Sequence, residues 1–158
     1  MSYDWKEKLR GTLIVSLFVE EVMTKNVITI KSSEPVKKAV ELMEKHDIGC
    51  LVVENKRKPI GIVTERDMLK RVLLQFRDPR MTRISDIMST PLMISTPKTN
   101  LRDAVRLMNE RRIKKLVIVN GGTLIGLLSI TDVVRSLGFL EHTMTSLCSK
   151  CRWNQTEQ

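Results

Sequence analysis

The sequence predicts an α+β fold made of two similar, pseudo-symmetric subdomains. The first observation is an internal repeat, in which residues 19–74 align without a gap on residues 84–139 at a constant offset of 65, as between Met23 and Met88. The second is that helical and strand periodicities alternate in the same order within each copy. Two copies of this length are too few for a solenoid, which needs three or more stacked units. They indicate two subdomains that bury their open faces against each other.

Each copy is predicted to fold as strand, helix, strand, strand, helix. The first strand is "VITI" or "LMIS", and the first helix follows a cap at Ser33 or Thr99. Its apolar face comprises Val36, Ala39, Val40 and Met43 in copy one, and Leu101, Ala104, Val105 and Met108 in copy two. Next comes a hairpin, "CLVVE" with "IGIV" or "LVIV" with "LIGLL", joined by "NKRKP" or "NGGT". The closing helix begins near Glu65 or Ile130.

The repeat also sets the expected domain bounds. We predict an N-terminal extension (1–18), a first subdomain (19–76), a linker (77–83), a second subdomain (84–139) and a C-terminal tail (140–158). The linker "RDPRMTR" is polar and has a central proline, as is typical of connections between compact units.

Composition narrows the class of protein. With 158 residues, 42% of them hydrophobic, the chain can bury a sizeable core. No run approaches the roughly 20 apolar residues of a membrane span, and the N-terminus lacks a signal-peptide layout, so we expect a cytoplasmic protein with no membrane partner. A net charge of +9 favours an anionic partner, but only 4% of residues are aromatic, which lowers the case for nucleic acid.

The ordered features of the repeat resemble the CBS domain, named for cystathionine beta-synthase, whose tandem pair is called a Bateman module. The matching features are an extended segment after "VMT" or "IMS", a helix carrying "AVELM" or "AVRLM", a strand "LVV" or "LVI", and a closing motif, "GIVTERD" or "GLLSITD". The resemblance implies two CBS units packed through their sheets, with two clefts for adenosine-containing ligands such as AMP, ADP, ATP or S-adenosylmethionine. Such modules often form flat dimers, and the resemblance implies no required cofactor.

The closing motifs carry the candidate chemistry. A carboxylate at Asp67 or Asp132 could accept hydrogen bonds from both ribose hydroxyls, with Thr64 or Ser129 beside the start of a helix. The alternative is purely structural, because Thr-x-x-Asp and Ser-x-x-Asp also satisfy the capping-box pattern. Both roles can coexist.

By resemblance, each cleft combines the closing motif of one copy with strands of the other. One site would join Leu127, Ser129, Thr131 and Asp132 to Ile28, Ile48 and Gly49. The other would join Ile62, Thr64, Arg66 and Asp67 to Met93, Ile113 and Lys114. The isoleucines and Met93 could sandwich a base or could simply be core, Lys114 or Lys115 could face a phosphate, and Arg66 could grip a phosphate or block the site.

The cysteines leave three alternatives open. Cys50 lies in an apolar run and is predicted to be buried. Cys148 and Cys151 have CxxC spacing, with His142 nearby, and could bind zinc, form a disulfide or be inert.

We therefore expect a regulatory sensor rather than an enzyme. The chain has 2 histidines and offers no nucleophile or metal-acid constellation, and the resemblance places the two aspartates in separate clefts. Occupancy of the clefts would be transmitted to an unidentified protein target by a homodimer. The alternative is a nucleic-acid-associated or scaffolding protein that uses its basic surface and has vestigial clefts.

Overall fold

A computed structural model describes residues 17–56, 58–136 and 138 of the chain. The first repeat contains helix α1 (Val19–Val22), strand β1 (Thr29–Lys31), helix α2 (Val36–His46), strands β2 (Cys50–Asn55) and β3 (Lys58–Thr64), and helix α3 (Glu65–Met68), which continues as a π-helical turn (Leu69–Leu73). The second contains a 3-10 turn (Ile84–Asp86), strand β4 (Ile94–Ser95), helix α4 (Leu101–Glu110), strands β5 (Lys115–Asn120) and β6 (Thr123–Ser129), and helix α5 (130–136). The predicted order of strands and helices is confirmed in both repeats.

The strands form two three-stranded sheets, ordered β1-β2-β3 and β4-β5-β6. In the first sheet β1 is parallel to β2, and β2 is antiparallel to β3. The turn between β5 and β6 places Gly121 at φ 56° and Gly122 at φ 80°. Positive φ at both central residues is the geometry of a two-residue hairpin, and glycine adopts it without strain.

The core of the first repeat lies between α2, the sheet and the closing helix. Its buried residues are Ile30, Val36, Ala39, Met43, Leu51, Val53, Val63, Val72, Ile84 and Ile87. The predicted buried face of α2 is therefore confirmed except at Val40, which is 47% exposed. Val40 lies at the margin of that face, where it lines an open groove with Met43 and Leu69 instead of packing inward.

The long helices α2 and α4, which the sequence predicts as the first helix of each repeat, are not capped by the predicted residues. The N-cap of α2 is Pro35, and no side chain caps it; instead the N–H groups of Val36 and Lys37 each donate 2.9 Å hydrogen bonds to the carbonyls of Thr82 and Pro79. The prediction of Ser33 was wrong because carbonyl groups of the predicted linker occupy this helix end.

In the second repeat the predicted cap, Thr99, is also wrong by one residue. The side chain of Asn100 accepts a 2.9 Å hydrogen bond from the N–H of Arg102, and the carbonyl of Leu17 accepts a 2.8 Å bond from the N–H of Leu101. Leu17 and Thr82 are equivalent positions in the 65-residue repeat, so the same backbone capping occurs twice.

The chain just before each first strand pairs with the other repeat. We call residues 17–24 and 82–89 the lead segments. Thr24 pairs with Leu127 of β6 through two 2.9 Å backbone hydrogen bonds, and its equivalent Ser89 pairs with Ile62 of β3 through bonds of 2.8 and 3.2 Å. Each sheet therefore gains a short antiparallel bridge from the lead segment of the other repeat.

The chain divides into two compact units that do not follow the repeat bounds. The first comprises 17–23, 98–115 and 128–136 with 138, and the second comprises 24–56, 58–97 and 116–127, in the described part of the chain. Within the second unit, Val52 of β2 packs with Val117 and Val119 of β5 in one apolar cluster, so the two sheets face each other there, as predicted.

Of the helices that the structure describes, none has the length and hydropathy of a membrane-spanning segment. The cytoplasmic location stays a prediction from the sequence.

Candidate functional site

The first closing motif folds as a capping box. The Asp67 Oδ2 atom accepts hydrogen bonds from the Thr64 N–H at 2.9 Å and from the Thr64 hydroxyl at 2.7 Å. In return the Asp67 N–H donates to Thr64 Oγ1 at 3.3 Å. The structural role that the spacing allowed is therefore present, and it fully engages one carboxylate oxygen.

The second closing motif repeats this geometry. The Asp132 Oδ2 atom accepts from the Ser129 N–H at 2.8 Å and from its hydroxyl at 2.6 Å, and the Asp132 N–H donates to Ser129 Oγ at 3.2 Å. Both aspartates are half-buried. A capping box holds each carboxylate in one orientation and leaves Oδ1 as the atom that could meet a ligand.

The two Oδ1 atoms differ in their surroundings. Asp67 Oδ1 lies 3.5 Å from Arg71 Nη1 and 3.5 Å from the Ser89 hydroxyl. Asp132 Oδ1 forms no hydrogen bond or ion pair with any residue in the described ranges. Two motifs with one sequence pattern thus present carboxylates of different availability.

Arg71 is a residue of this region that the sequence reasoning missed. Its Nη1 donates hydrogen bonds to the carbonyls of Ile87 at 2.5 Å and Met88 at 3.0 Å, besides facing Asp67. The only signal in the sequence is that the equivalent position of the second repeat is Ser136 rather than a cation. That difference acquires meaning only once residues 87–88 are known to lie beside the closing helix.

The glycine of the first closing motif serves the fold rather than a ligand. A Cβ atom at Gly61 would lie 2.9 Å from Met88 Sδ and 3.1 Å from the Ser89 carbonyl oxygen. The segment that approaches this glycine closely is thus a lead segment of the chain itself.

Several apolar candidates contribute to packing. Ile28 and Ile48 are partly buried and pack against the core of the first repeat, while Leu127 packs against the cluster that joins the two sheets. Ile62, Met93 and Ile113 are also half-buried. The core-packing alternative therefore applies directly to Ile28, Ile48 and Leu127, and a base could contact only the part of each that stays accessible.

The polar candidates are more accessible. Arg66, Lys114 and Thr131 are exposed, and among the described residues neither Arg66 nor Lys114 has an ion-pair partner. Lys115, at the start of β5, is half-buried, so the two lysines differ as strand alternation predicts. The side chains of Arg66 and Lys114 are therefore available to bind an anion.

The residue before each middle strand is tied to the closing helix. The carbonyl of Gly49 accepts a hydrogen bond from the Glu65 N–H at 3.2 Å, and the equivalent carbonyl of Lys114 accepts one from the Ile130 N–H at 3.1 Å. These bonds hold the first residue of each closing helix in place. A change in the position of a closing helix would therefore displace the start of β2 or β5.

A groove of about 520 Å³ lies in the second unit, between α2 and the closing helix α3. Ile48 and Gly49 line it together with three acidic residues, Glu44, Asp47 and Glu65. A Cβ at Gly49 would lie 2.8 Å from a carboxylate oxygen of Glu65. Because its ionisable lining residues are all acidic, this groove does not suit a phosphate.

Of the three cysteines, the structure describes Cys50. Cys50 is buried, as predicted. In the described ranges no group of three or more His, Cys, Asp or Glu side chains could hold a metal ion. His142, Cys148 and Cys151 lie outside those ranges, so the three alternatives for the tail stay open.

The comparisons with known proteins agree with this geometry. The model of the CBS domain family matches residues 19–74 and 84–138. The CBS domain-containing protein YhcV of Bacillus subtilis is 33% identical over 115 residues, covering 73% of this chain and 81% of that protein. The inosine-5'-monophosphate dehydrogenase of Methanocaldococcus jannaschii is 30% identical over 118 residues, covering 73% of this chain but only 23% of the enzyme. The second similarity therefore concerns a minor part of an enzyme.

A solved structure is similar over most of the described fold. The hexameric CBS-CP12 protein from bloom-forming cyanobacteria has a TM-score of 0.71 and 35% sequence identity, covering 79% of this chain and 73% of that one. With two matches to the family model, two sheets of the same order and two closing motifs of one geometry, the chain belongs to the CBS domain family and carries two CBS domains in tandem.

Proposed function

We propose that the chain is a regulatory sensor that binds an adenosine-containing ligand, namely AMP, ADP, ATP or S-adenosylmethionine, through at least one of its closing motifs. The observation that carries the proposal is the held carboxylate. Each capping box fixes Oδ2 of Asp67 or Asp132 and orients Oδ1. A carboxylate fixed in this way can accept charge-assisted hydrogen bonds from vicinal ribose hydroxyls at a low entropic cost.

The remaining candidate residues would complete recognition of the ligand. In a site at Asp67, half-buried Ile62 and Met93 would supply apolar area to the adenine, and exposed Arg66 would attract a phosphate. Thr131 stands where Arg66 stands in the first repeat, so a polyphosphate would distinguish the two motifs.

Regulation would follow from the backbone ties of the closing helices. A ligand held by Asp67 or Asp132 acts on the same short turn whose first N–H bonds to Gly49 or Lys114. It shifts the conformation of the protein only if it binds one arrangement better than another. The target protein would bind one of these conformations better than the other.

The direct test is ligand binding to a variant that lacks both carboxylates. We expect saturating AMP, ATP or S-adenosylmethionine to raise the melting temperature of the wild type, since a ligand at about 100 times its Kd adds about 2.7 kcal/mol of stability. The double variant Asp67→Asn plus Asp132→Asn should lose that shift. Asp86→Asn is the matched control, because Asp86 also accepts a hydrogen bond from the backbone N–H of the residue three positions earlier, Arg83, at 3.1 Å.

Retention of the ligand shift in the double variant would remove the assigned mechanism. The family assignment does not favour the basic-surface alternative. It would regain support if the chain bound DNA or RNA with strong salt dependence and the two substitutions left that binding unchanged.

We further propose that the chain assembles as a homodimer through the end of the first closing helix and the segment that follows it. The exposed apolar residues of this stretch are Leu69, Leu73, Leu74, Phe76 and Met81. Phe76 is 97% exposed and has a φ of 53°, so a large apolar side chain is held out into solvent at a strained helix end. The hexameric state named for the similar cyanobacterial protein supports self-association as the use of this surface.

A further inference from the structure

We propose that the two closing motifs are unequal, with Arg71 closing the Asp67 motif so that the Asp132 motif takes the adenosyl ligand. This inference rests on the proposed function and says which of its two carboxylates does the binding. It predicts one bound ligand per chain.

The first step is that Arg71 is anchored. Two backbone carbonyls, of Ile87 and Met88, accept hydrogen bonds from Nη1 at 2.5 and 3.0 Å. These carbonyls belong to a lead segment that is itself fixed by the backbone pairing of Ser89 with Ile62. The guanidinium therefore keeps its place beside Asp67 even though the Arg71 side chain is 45% exposed.

The second step is that Asp67 is already engaged on both oxygens. Thr64 uses Oδ2, while Arg71 and Ser89 each lie 3.5 Å from Oδ1, and the side chain is only 13% exposed. Two ribose hydroxyls would have to displace these neighbours, and an anchored cation competes directly for the same acceptor atom. The contacts at 3.5 Å are long, but their combined effect is to cover the oxygen that a ligand needs.

The third step is the contrast with Asp132. Its Oδ2 is used by Ser129 as in the first motif, yet Oδ1 has no hydrogen-bond or ion-pair partner within the described ranges. The position equivalent to Arg71 is Ser136, whose hydroxyl donates instead to the carbonyl of Val133 at 2.8 Å. Among the described residues, nothing covers the second motif as Arg71 covers the first.

Isothermal titration with AMP, ATP and S-adenosylmethionine tests the assignment. We expect the wild type to bind one equivalent of its preferred ligand and Asp132→Asn to weaken that binding at least tenfold. Arg71→Ser copies the residue of the second repeat and should raise the stoichiometry to two. Adding Asp67→Asn to Arg71→Ser should return it to one. Lys70→Ser, at the exposed neighbouring position, is the control and should keep one equivalent.

Two equivalents in the wild type, full affinity in Asp132→Asn, or one equivalent in a folded Arg71→Ser protein would each overturn the inference. If Arg71→Ser unfolds for lack of its two carbonyl bonds, Asp132→Asn alone still decides, because it leaves Arg71 in place. A failure of the proposed function itself looks different, since neither the wild type nor Arg71→Ser would then bind any of the three ligands.

Discussion

At the scale of the residue, Gly61 shows how closely a lead segment approaches the sheet. Gly61→Ala would push a Cβ to 3.1 Å from the Ser89 carbonyl oxygen, a backbone atom that cannot swing aside. We expect the free energy of unfolding to fall by about 1–3 kcal/mol, as for other overpacked sites. Chemical denaturation measures this.

Gly49→Ala is the control for that experiment. The atom it would meet is the end of the flexible Glu65 side chain, which can move away. The free energy of unfolding of Gly49→Ala should stay within about 0.5 kcal/mol of the wild-type value. An equal loss in both variants would contradict the role of the Ser89 backbone.

The ion pair between Lys98 and Glu20 gives a prediction with a defined pH dependence. The 2.6 Å hydrogen bond to Glu20 and its negative charge raise the pKa of the Lys98 ammonium. A raised folded-state pKa means that the contribution to stability is fully present below the unfolded-state value of about 10.4 and is lost as the pH rises through the folded-state pKa.

We therefore expect Lys98→Met to be less stable than the wild type by the same small amount at pH 7 and pH 9, with the difference disappearing above the folded-state pKa. Urea denaturation of both proteins at each pH measures the difference and cancels the titration of the other lysines. A difference that grows with alkaline pH would have the wrong sign for this pair.

The spacing of residues predicted the local geometry of the site but not its surroundings. Thr64-x-x-Asp67 predicted a capping box because its partners are three residues apart. Arg71 could not be predicted as a neighbour of Ile87 and Met88, because sixteen residues or more separate the partners and their meeting depends on the tertiary path.

At the scale of the element, helix starts were predicted one or two residues away from the observed caps. Ser33 and Thr99 are good capping residues, but the backbone groups at these helix ends bond to the carbonyls of Thr82 and Leu17. Sequence propensity describes a helix by itself, so tertiary hydrogen bonds from a distant segment override it. Strand order and the apolar helix faces were predictable because periodicity is a local property.

The C-terminal end of α4 allows a stabilising substitution. Arg112 has a φ of 52° beyond the end of α4, and the Ile113 N–H donates to the Met108 carbonyl at 2.9 Å, which is the bonding of a Schellman motif. A left-handed conformation costs an ordinary residue about 1–2 kcal/mol, and glycine avoids that strain.

We expect Arg112→Gly to raise the free energy of unfolding by about 0.5–1 kcal/mol, because relief of strain exceeds the entropy that glycine adds to the unfolded chain. Arg111→Gly is the matched control at a φ of −86°, where the same substitution should destabilise. Thermal denaturation of the pair checks the opposite signs. Destabilisation by both substitutions would mean that Arg112 makes a contact worth more than its strain.

At the scale of the whole molecule, the repeat predicted two subdomains but not how the chain is shared between them. The lead segment 17–24 bonds to Thr99, Leu101 and Leu127 of the second repeat, and 82–89 bonds to Glu34, Val36 and Ile62 of the first. A sequence alignment assigns each lead segment to the repeat that follows it, because it compares order along the chain. The backbone hydrogen bonds assign it to the other repeat.

Self-association is the property of the whole molecule that a surface substitution can test. Leu73 is 66% exposed and Phe76 is 97% exposed, and both lie at the end of the first closing helix. In a symmetric dimer each copy contributes the same side chains, so every substitution acts twice. Burying one large apolar side chain is worth about 1.5–3 kcal/mol. The double variant Leu73→Ser plus Phe76→Ser should therefore weaken a dimer at least 100-fold.

Sedimentation velocity over a range of concentrations measures that change. Ile94→Ser is the control, because Ile94 is also exposed but belongs to the short strand β4 and not to the proposed surface. We expect the control to sediment as the wild type does and the double variant to sediment as a monomer at concentrations where the wild type is dimeric. A monomeric wild type at every concentration, or a double variant that associates as the wild type does, would contradict the proposed dimer surface.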